Sequence, residues 1–544
     1  MSSGPPTSGD VVVIGAGCNG LCCAALLAKA GRKVTVIERR DQLGGLAAGD
    51  PLDGTACAGL WHETAMLRPQ VVRDLELERH GLSVMDPPPV FIPRTDGPGL
   101  LLDHDPARSA GPIGDHSRHD ADAYARYRRF IDQVRPVLTR VLDRRPPDIL
   151  STHARDVFGL LADGWALRRL GRSAMSDLLR VPAMCAADWM AEWFESQPLR
   201  CGLTLPALLG TFSGPWSPGS AGVLLRSEVM TGKCCAGGPV GLVAALTSAA
   251  RSAGVEIRTG AGVNRIRVKN DRVLGVTLDS GESIDAPIVA VSCDPKTALL
   301  KLVSARHLPA RLVRHLTAYR CTGTTAKLDL VLASPLRFAG LAQTAVERVR
   351  VVGPSIDDME RAFDAVKYNR ASDQPLLDIY APPAASAHTP SGCAPTGDAP
   401  GDRANPSASH NAPHDEGCYV SIIAHFAPYH LEGGWDDTAR NRLADAIIRT
   451  LDAYAPGAAS SVRSRRVLSP PDIARRFGVW EGHIHHGEPG LDQLIVRPVP
   501  RCARYRTPIE GLYLCGSGSH PGGGLTCGPG WLAASTITSG PSGK

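Results

Sequence analysis

The residues best placed to do chemistry are three glycines, an acid that follows them and a histidine-rich loop near the other end of the chain. Gly15, Gly17 and Gly20 stand at G-x-G-x-x-G spacing in DVVVIGAGCNGLCCAALLAKAGRKVTVIE, residues 10–38, which closes on Glu38. This pattern suits a pyrophosphate. Gly15 permits a tight turn, Gly17 lets backbone approach the phosphates, and Gly20 lets the next helix pack closely on the strand before it. A helix starting near Asn19 aims its unpaired N–H groups at the same anion. Glu38 then stands where a carboxylate accepts ribose hydroxyls. The complete strand–glycines–helix–strand–acid unit predicts a dinucleotide site.

Other glycine-rich segments need their own explanation. RRDQLGGLAAG follows Glu38 and places Gly44 and Gly45 in a second tight turn, which a plain NAD domain does not require. GLYLCGSGSHPGGGLTCGPG, residues 511–530, holds eight glycines. Fixed glycine is entropically costly, so this density predicts backbone pressed against something. The strand-like GLYLCG before it and the helix-compatible WLAASTI after it argue against a loose tail. Between these ends, residues 237–293 predict a helix over about 242–253, then short strands in VEIRTG, VNRIRVKN, RVLGVTLDSG and IVAVSC.

Glu38, Arg40, Gly44 and Gly45 match an E-x-R-x-x-x-G-G segment, and here the chain resembles flavoproteins of the amine oxidase and phytoene desaturase superfamily. LRPQVVRDLELERHGLSV, PPPVFIPRTDG and SPPDIARRFGVWEGHIHHGEPGLDQLIVRP resemble blocks of one branch. That branch comprises the phytoene desaturase-like FAD-dependent oxidoreductases that include pyridine nucleotide-disulphide oxidoreductase domain-containing protein 2. Two departures stand out: His483 and His485 occupy positions where the branch has Asn and Phe.

The resemblance implies an α/β fold, with a Rossmann-type FAD-binding domain and an interleaved α+β substrate domain. The first would be assembled from 9–70, 235–300 and 465–540, and the second from 75–232 and 305–460. FAD, held without a covalent bond, would contact Gly15, Ala16, Gly17, Asn19, Gly20, Glu38, Arg39, Arg40, Gly44 and Gly45. Val263 would meet adenine through its backbone, with Gly516, Ser517, Gly523 and Gly524 beside the flavin. His486 is the first candidate to handle a proton, ahead of His425 and His520. The implied activity is removal of hydride from an apolar or amphipathic organic substrate by a dehydrogenase or desaturase. Amine oxidase-like oxidation of a C–N bond is the alternative, and a non-redox binder on the same fold is the rival of another class. One fingerprint, with no well-placed cysteine pair, speaks against a second nicotinamide site and a redox disulfide; the Cys18–Cys23 spacing reads as coincidence. HIHHG lacks a companion acid at ligand spacing, so no metal centre is expected.

Bulk properties bound the rest. A chain of 544 residues predicts more than one domain, and 43% hydrophobic with 21% charged residues is ordinary for a globular protein. The net charge of +5 makes no case for a nucleic-acid partner. No apolar run has transmembrane length, and the first nine residues do not read as a targeting peptide, so a cytoplasmic location is expected. Peripheral membrane contact and a homo-oligomer remain compatible with this. The fifteen cysteines read as small buried hydrophobes in a reducing compartment. The arginines of DAYARYRRFIDQVRPVLTRVLDRR read as a solvated helix face. Residues 381–416 contain no Val, Ile, Leu, Met, Phe, Trp or Tyr, which predicts a disordered insertion.

Overall fold

The apolar run Val11–Ile14 is wholly buried and forms the middle strand of a five-stranded parallel sheet. From one edge, the strands are Leu512–Leu514, Ile288–Val291, Val11–Ile14, Val34–Ile37 and Glu256–Arg258. Val12 lies between Val289 and Thr35, and Val289 in turn pairs with Leu512. All neighbouring pairs are parallel. Gly15, Glu38, Ser292 and Cys515 therefore leave the same carboxyl edge of the sheet, the edge at which open α/β sheets bind ligands. The computed structural model that shows this describes residues 10–55, 57–147, 154–341, 346–382 and 417–539. Apart from residues 381 and 382, the expected insertion lies outside them.

Strand alternation divides the core. Val11 and Val13 pack with the helix Cys18–Lys29 and its neighbours Gly238–Ser252 and Gly528–Thr538. Val12 and Ile14 face the opposite side, toward the antiparallel strands Val263–Lys269, Arg272–Leu278 and Ser283–Asp285. Both faces of the parallel sheet are thus covered, which explains its continuous apolar runs.

A seven-stranded sheet carries much of the remaining chain. Its order is Val462–Leu468, Thr325–Leu332, Cys418–His425, Leu377–Tyr380, Arg348–Val351, Val90–Ile92 and Leu100–Leu102. Only Arg348–Val351 and Val90–Ile92 pair in parallel. Ala326, Leu328 and Leu330 join an apolar core with the helix Asp437–Tyr454. The alternate residues Lys327 and Asp329 turn to the opposite face. There Lys327 donates to the carbonyl of Gly59 at 2.6 Å, and Asp329 accepts from Tyr419 and Arg466, both at 2.8 Å. This polar face holds the segment that follows the second glycine turn.

The long helix Arg118–Leu142 starts at Ser117, whose hydroxyl accepts the N–H of Asp120, and buries Tyr124, Tyr127, Ile131 and Val134. Two of its arginines correct the expectation of a solvated face. Arg128 pairs with Glu228 at 2.6 Å, and Arg135 donates to the carbonyl of Thr231 at 2.9 Å. They turn inward because the helix Ser220–Met230 presents an acid and its C-terminal carbonyls there. Every described cysteine is a free thiol.

Gly530 packs so closely on the first helix that a Cβ would lie 2.1 Å from the carbonyl oxygen of Asn19. Gly530→Ala should therefore destabilise the fold by about 1–3 kcal/mol, as overpacking does. Gly241 lies in the helix Gly238–Ser252 with no atom within 4 Å of an added Cβ. Gly241→Ala should stabilise by about 0.5–1 kcal/mol through helix propensity alone. Denaturant midpoints check both; equal shifts in the same direction would refute this packing.

Candidate functional site

A cleft of about 820 Å³ opens along the carboxyl edge of the parallel sheet, within the size range of small-molecule and cofactor sites. Ile14 and Gly15, Ile37 and Glu38, and Ser292 and Cys293 reach it directly from three strand ends. Gly17, Gly44 and Gly45 line it beside them. The N–H of Gly44 donates to the carbonyl of Ala16 at 2.8 Å, so the two glycine turns are one structure. A Cβ on Gly45 would lie 3.1 Å from the Gly17 Cα. Side chains here would close the cradle that an extended phosphate-bearing ligand needs.

Glu38 is only 7% exposed, yet it lines the cleft. Its carboxylate accepts the N–H of Ala16 at 2.8 Å and that of Arg40 at 3.0 Å. Ala16 contributes this bond rather than a wall. Val263 and Asp279 lie near this acid, since Ala261 N–H donates to the Glu38 carbonyl and Asp279 N–H to that of Gly262. Arg40 donates to Gly45 O and Asp50 and lies 4.9 Å from the Phe477 ring centroid. Arg39 also lines the cleft, but its guanidinium donates to the last-turn carbonyls Arg475 O and Arg476 O at 3.0 and 2.9 Å. Asn19 donates to Ser517 Oγ at 3.0 Å and so joins the fingerprint helix to the C-terminal segment.

Part of the expected contact set does not line the cleft. Gly20 packs on Gly15, whose carbonyl oxygen would be 2.0 Å from an added Cβ, and does not line the cleft. Gly516 and Gly523 do not line it either. Their lack of a side chain serves contacts within the protein: added Cβ atoms would meet Ser292 O at 2.3 Å and His485 Nδ1 at 2.6 Å. Gly524 borders a second cavity instead, and from this stretch Ser517 and Leu525 reach the larger cleft. His520 contacts two backbone carbonyls, Ile495 O and Val141 O, as a structural tie. His425 is buried in its strand, lines neither cavity and has no partner for either ring nitrogen.

His486 does line the cleft. Its backbone is held in the left-handed region at φ 57° by the loop that surrounds it, and its Nδ1 is buried without a partner. Burial, partly offset by Asp294, holds its imidazole below the usual histidine range. The neighbouring histidines do other work. His483 Nδ1 accepts the N–H groups of His485 and Gly487, both at 3.2 Å, and shapes the loop. His485 donates to Leu209 O at 3.0 Å and lies 4.9 Å from Trp61, ring centroid to ring centroid.

The second cavity, about 200 Å³, shares Trp61 with the cleft. His485 and Gly524 line it, while their chain neighbours His486 and Leu525 line the cleft. These residues form a common wall between the cleft and a smaller cavity with apolar sides at Leu203, Pro206, Leu209 and Val223. Trp61 follows no motif, and His485 was visible only as a departure from the branch pattern; their placement at the wall is a product of the tertiary fold.

The NAD(P)-binding Rossmann-like domain family matches residues 13–67. Pyridine nucleotide-disulfide oxidoreductase domain-containing protein 2 of Rattus norvegicus is 32% identical, over 97% of this chain and 93% of its own length. The zeta-carotene-forming phytoene desaturase of Myxococcus xanthus is 24% identical, over 95% of this chain and 90% of its own. A triple mutant of putrescine oxidase shares the fold, with a TM-score of 0.59 and 15% identity over 98% of this chain and 99% of its own.

Burial pushes His485 and His425 down to about 3 and His520 down to about 4, with Arg226 adding to the effect at His485 and Arg350 at His425. The unfolded chain therefore binds protons first as the pH falls below the ordinary value of 6.5. Stability is unaffected by these groups above that value and is lost beneath it, by about 2 kcal/mol per histidine at pH 5. Urea midpoints at about pH 7 and pH 5 check the sign; a midpoint that holds or rises at the lower pH contradicts it.

Proposed function

Because the chain belongs to the family of pyridine nucleotide-disulfide oxidoreductase domain-containing protein 2, among the phytoene desaturase-like oxidoreductases, we propose that it is an FAD-dependent dehydrogenase or desaturase. Its substrate is an apolar or amphipathic organic molecule. One observation carries this reading: a glycine-cradled cleft that ends on Glu38 shares the Trp61–His485–His486 wall with a smaller, largely apolar-sided cavity. The first suits FAD and the second suits the substrate.

FAD bound in the cleft would supply a hydride acceptor. The residues of this chain bind, orient and manage protons. Glu38 would hold ribose hydroxyls, with its carboxylate already fixed by the N–H groups of Ala16 and Arg40. The Gly15–Gly17 turn and the start of the helix Cys18–Lys29 would hold the pyrophosphate through backbone N–H groups and the helix dipole. Leu203, Pro206, Leu209 and Val223 would exclude water from the substrate. His486, kept neutral by burial, would accept a proton at Nδ1 where oxidation of a C–H or N–H bond releases one. The intact fingerprint and its acid support this reading over a non-redox binder.

Two variants test it. Glu38→Gln preserves the shape of the side chain but loses its charge and one acceptor. It should weaken FAD about ten- to a hundred-fold, since hydrogen bonds to a charged group contribute roughly 1.5–3 kcal/mol. His486→Ala should retain FAD, while anaerobic flavin bleaching by a reducing substrate slows roughly 10²–10⁴-fold. Flavin absorbance gives occupancy and stopped-flow gives the rate. Wild-type FAD affinity in Glu38→Gln would remove Glu38 from the site, and wild-type bleaching in His486→Ala would leave His486 a packing residue.

A further inference from the structure

Several charges in the smaller cavity have a partner of opposite sign. Arg128 pairs with Glu228 at 2.6 Å and Arg348 with Glu63 at 3.4 Å. Arg350 stands opposite Asp378 on the neighbouring strand, and Asp103 lies 3.8 Å from Arg108. Arg226 lines the same cavity, is only 7% exposed and forms no ion pair among the described residues. One end of its guanidinium donates to the carbonyls of Pro521 and Gly523 at 2.9 and 3.2 Å, and its Nε is buried without a partner.

A second cation deepens the imbalance. A Cβ on Gly522 would lie 3.2 Å from Arg226 Nη2 and 3.3 Å from Arg497 Nη1, so two guanidinium groups face one glycine. Arg497 is 1% exposed and its hydrogen bonds go to Tyr319 Oη and Gly487 O, both uncharged. Buried charge without a counter-ion is costly, and a guanidinium fork is matched in shape by a carboxylate. Burial and the neighbouring Arg497 and Arg68 push Arg226 down to about 9, the direction that an absent counter-ion produces. Arg226 borders the smaller cavity and not the larger cleft, which assigns its charge to the substrate rather than to the cofactor.

We propose that Arg226 binds a carboxylate carried by the substrate, and that the substrate class is an amphipathic organic acid. Its charged end meets Arg226, and its apolar body lies along Leu203, Pro206, Leu209 and Val223. This rests on reading the smaller cavity as the substrate site, and it separates this chain from an enzyme built for a pure hydrocarbon.

Octanoate, octanol and octylamine share one apolar body and differ in the head group, so calorimetric titration of the purified full-length protein with each is the test. Octanoate should bind at least tenfold more tightly than the other two. Arg226→Met should abolish that preference without changing cofactor content, and Arg226→Lys should keep part of it through the retained charge. Equal binding of the three by the wild type overturns the proposal without any variant, as does a preference that survives in Arg226→Met. Calorimetry reads binding without using flavin as the reporter. A flavin-free protein that still prefers octanoate would defeat the dehydrogenase reading while supporting the carboxylate site.

Discussion

A Cβ on Gly20 would lie 2.0 Å from the Gly15 carbonyl oxygen, and one on Gly530 would lie 2.1 Å from that of Asn19. These contacts press the first helix onto the strand Val11–Ile14 and the final helix onto the first. They bring the start of the first helix, the second glycine turn and Ser517 to one edge of the parallel sheet. The cleft exists because backbone meets backbone there with no side chain between. Gly45 over the Gly17 Cα repeats the constraint inside the cleft itself. Substituting any of these glycines forces a shift of main chain rather than of a flexible side chain, which is why the packing and the site stand or fall together.

Electrostatics then separates the two cavities. Glu38 is buried at the end of the large cleft, and two backbone N–H groups satisfy its carboxylate. At the common wall, His485 and His486 are held neutral by burial. Beyond that wall, Arg226 keeps a charge that the protein does not neutralise. A buried carboxylate, a pair of buried histidines and a buried guanidinium thus lie in succession from the cleft to the small cavity. Lys327 and Asp329, 3.4 Å apart on the buried face of the larger sheet, are spent instead on fixing the segment at Gly59 and His62 that leads into Trp61.

The parallel strands and the fingerprint were legible because their signals are local. VVVI is apolar at every position, as burial on both faces demands, and Glu38 ends the next strand at a fixed offset from the glycines. The strands around 256–291 were legible as strands, but not their division between two sheets: Glu256–Arg258 and Ile288–Val291 enter the parallel sheet while the three between them form another. The role of Gly523 was not legible because a glycine run shows that backbone comes close to something without showing what; in this structure an added Cβ would meet His485. Arg128 and Arg135 read as solvated because helical spacing gives no sign of Glu228 or of the carbonyls on a helix a hundred residues on. Arg226 carried no motif at all; its isolation is visible only once its neighbours are in place.

The central claim is that the cleft at the sheet edge is a non-covalent FAD site. Mass spectrometry of the small molecules released when the purified protein is denatured tests it most directly, with the protein quantified in the same sample. The account predicts FAD in near-equimolar amount and no flavin left on the polypeptide. Release of NAD or NADP in place of flavin, or flavin that stays attached to the chain, would contradict it.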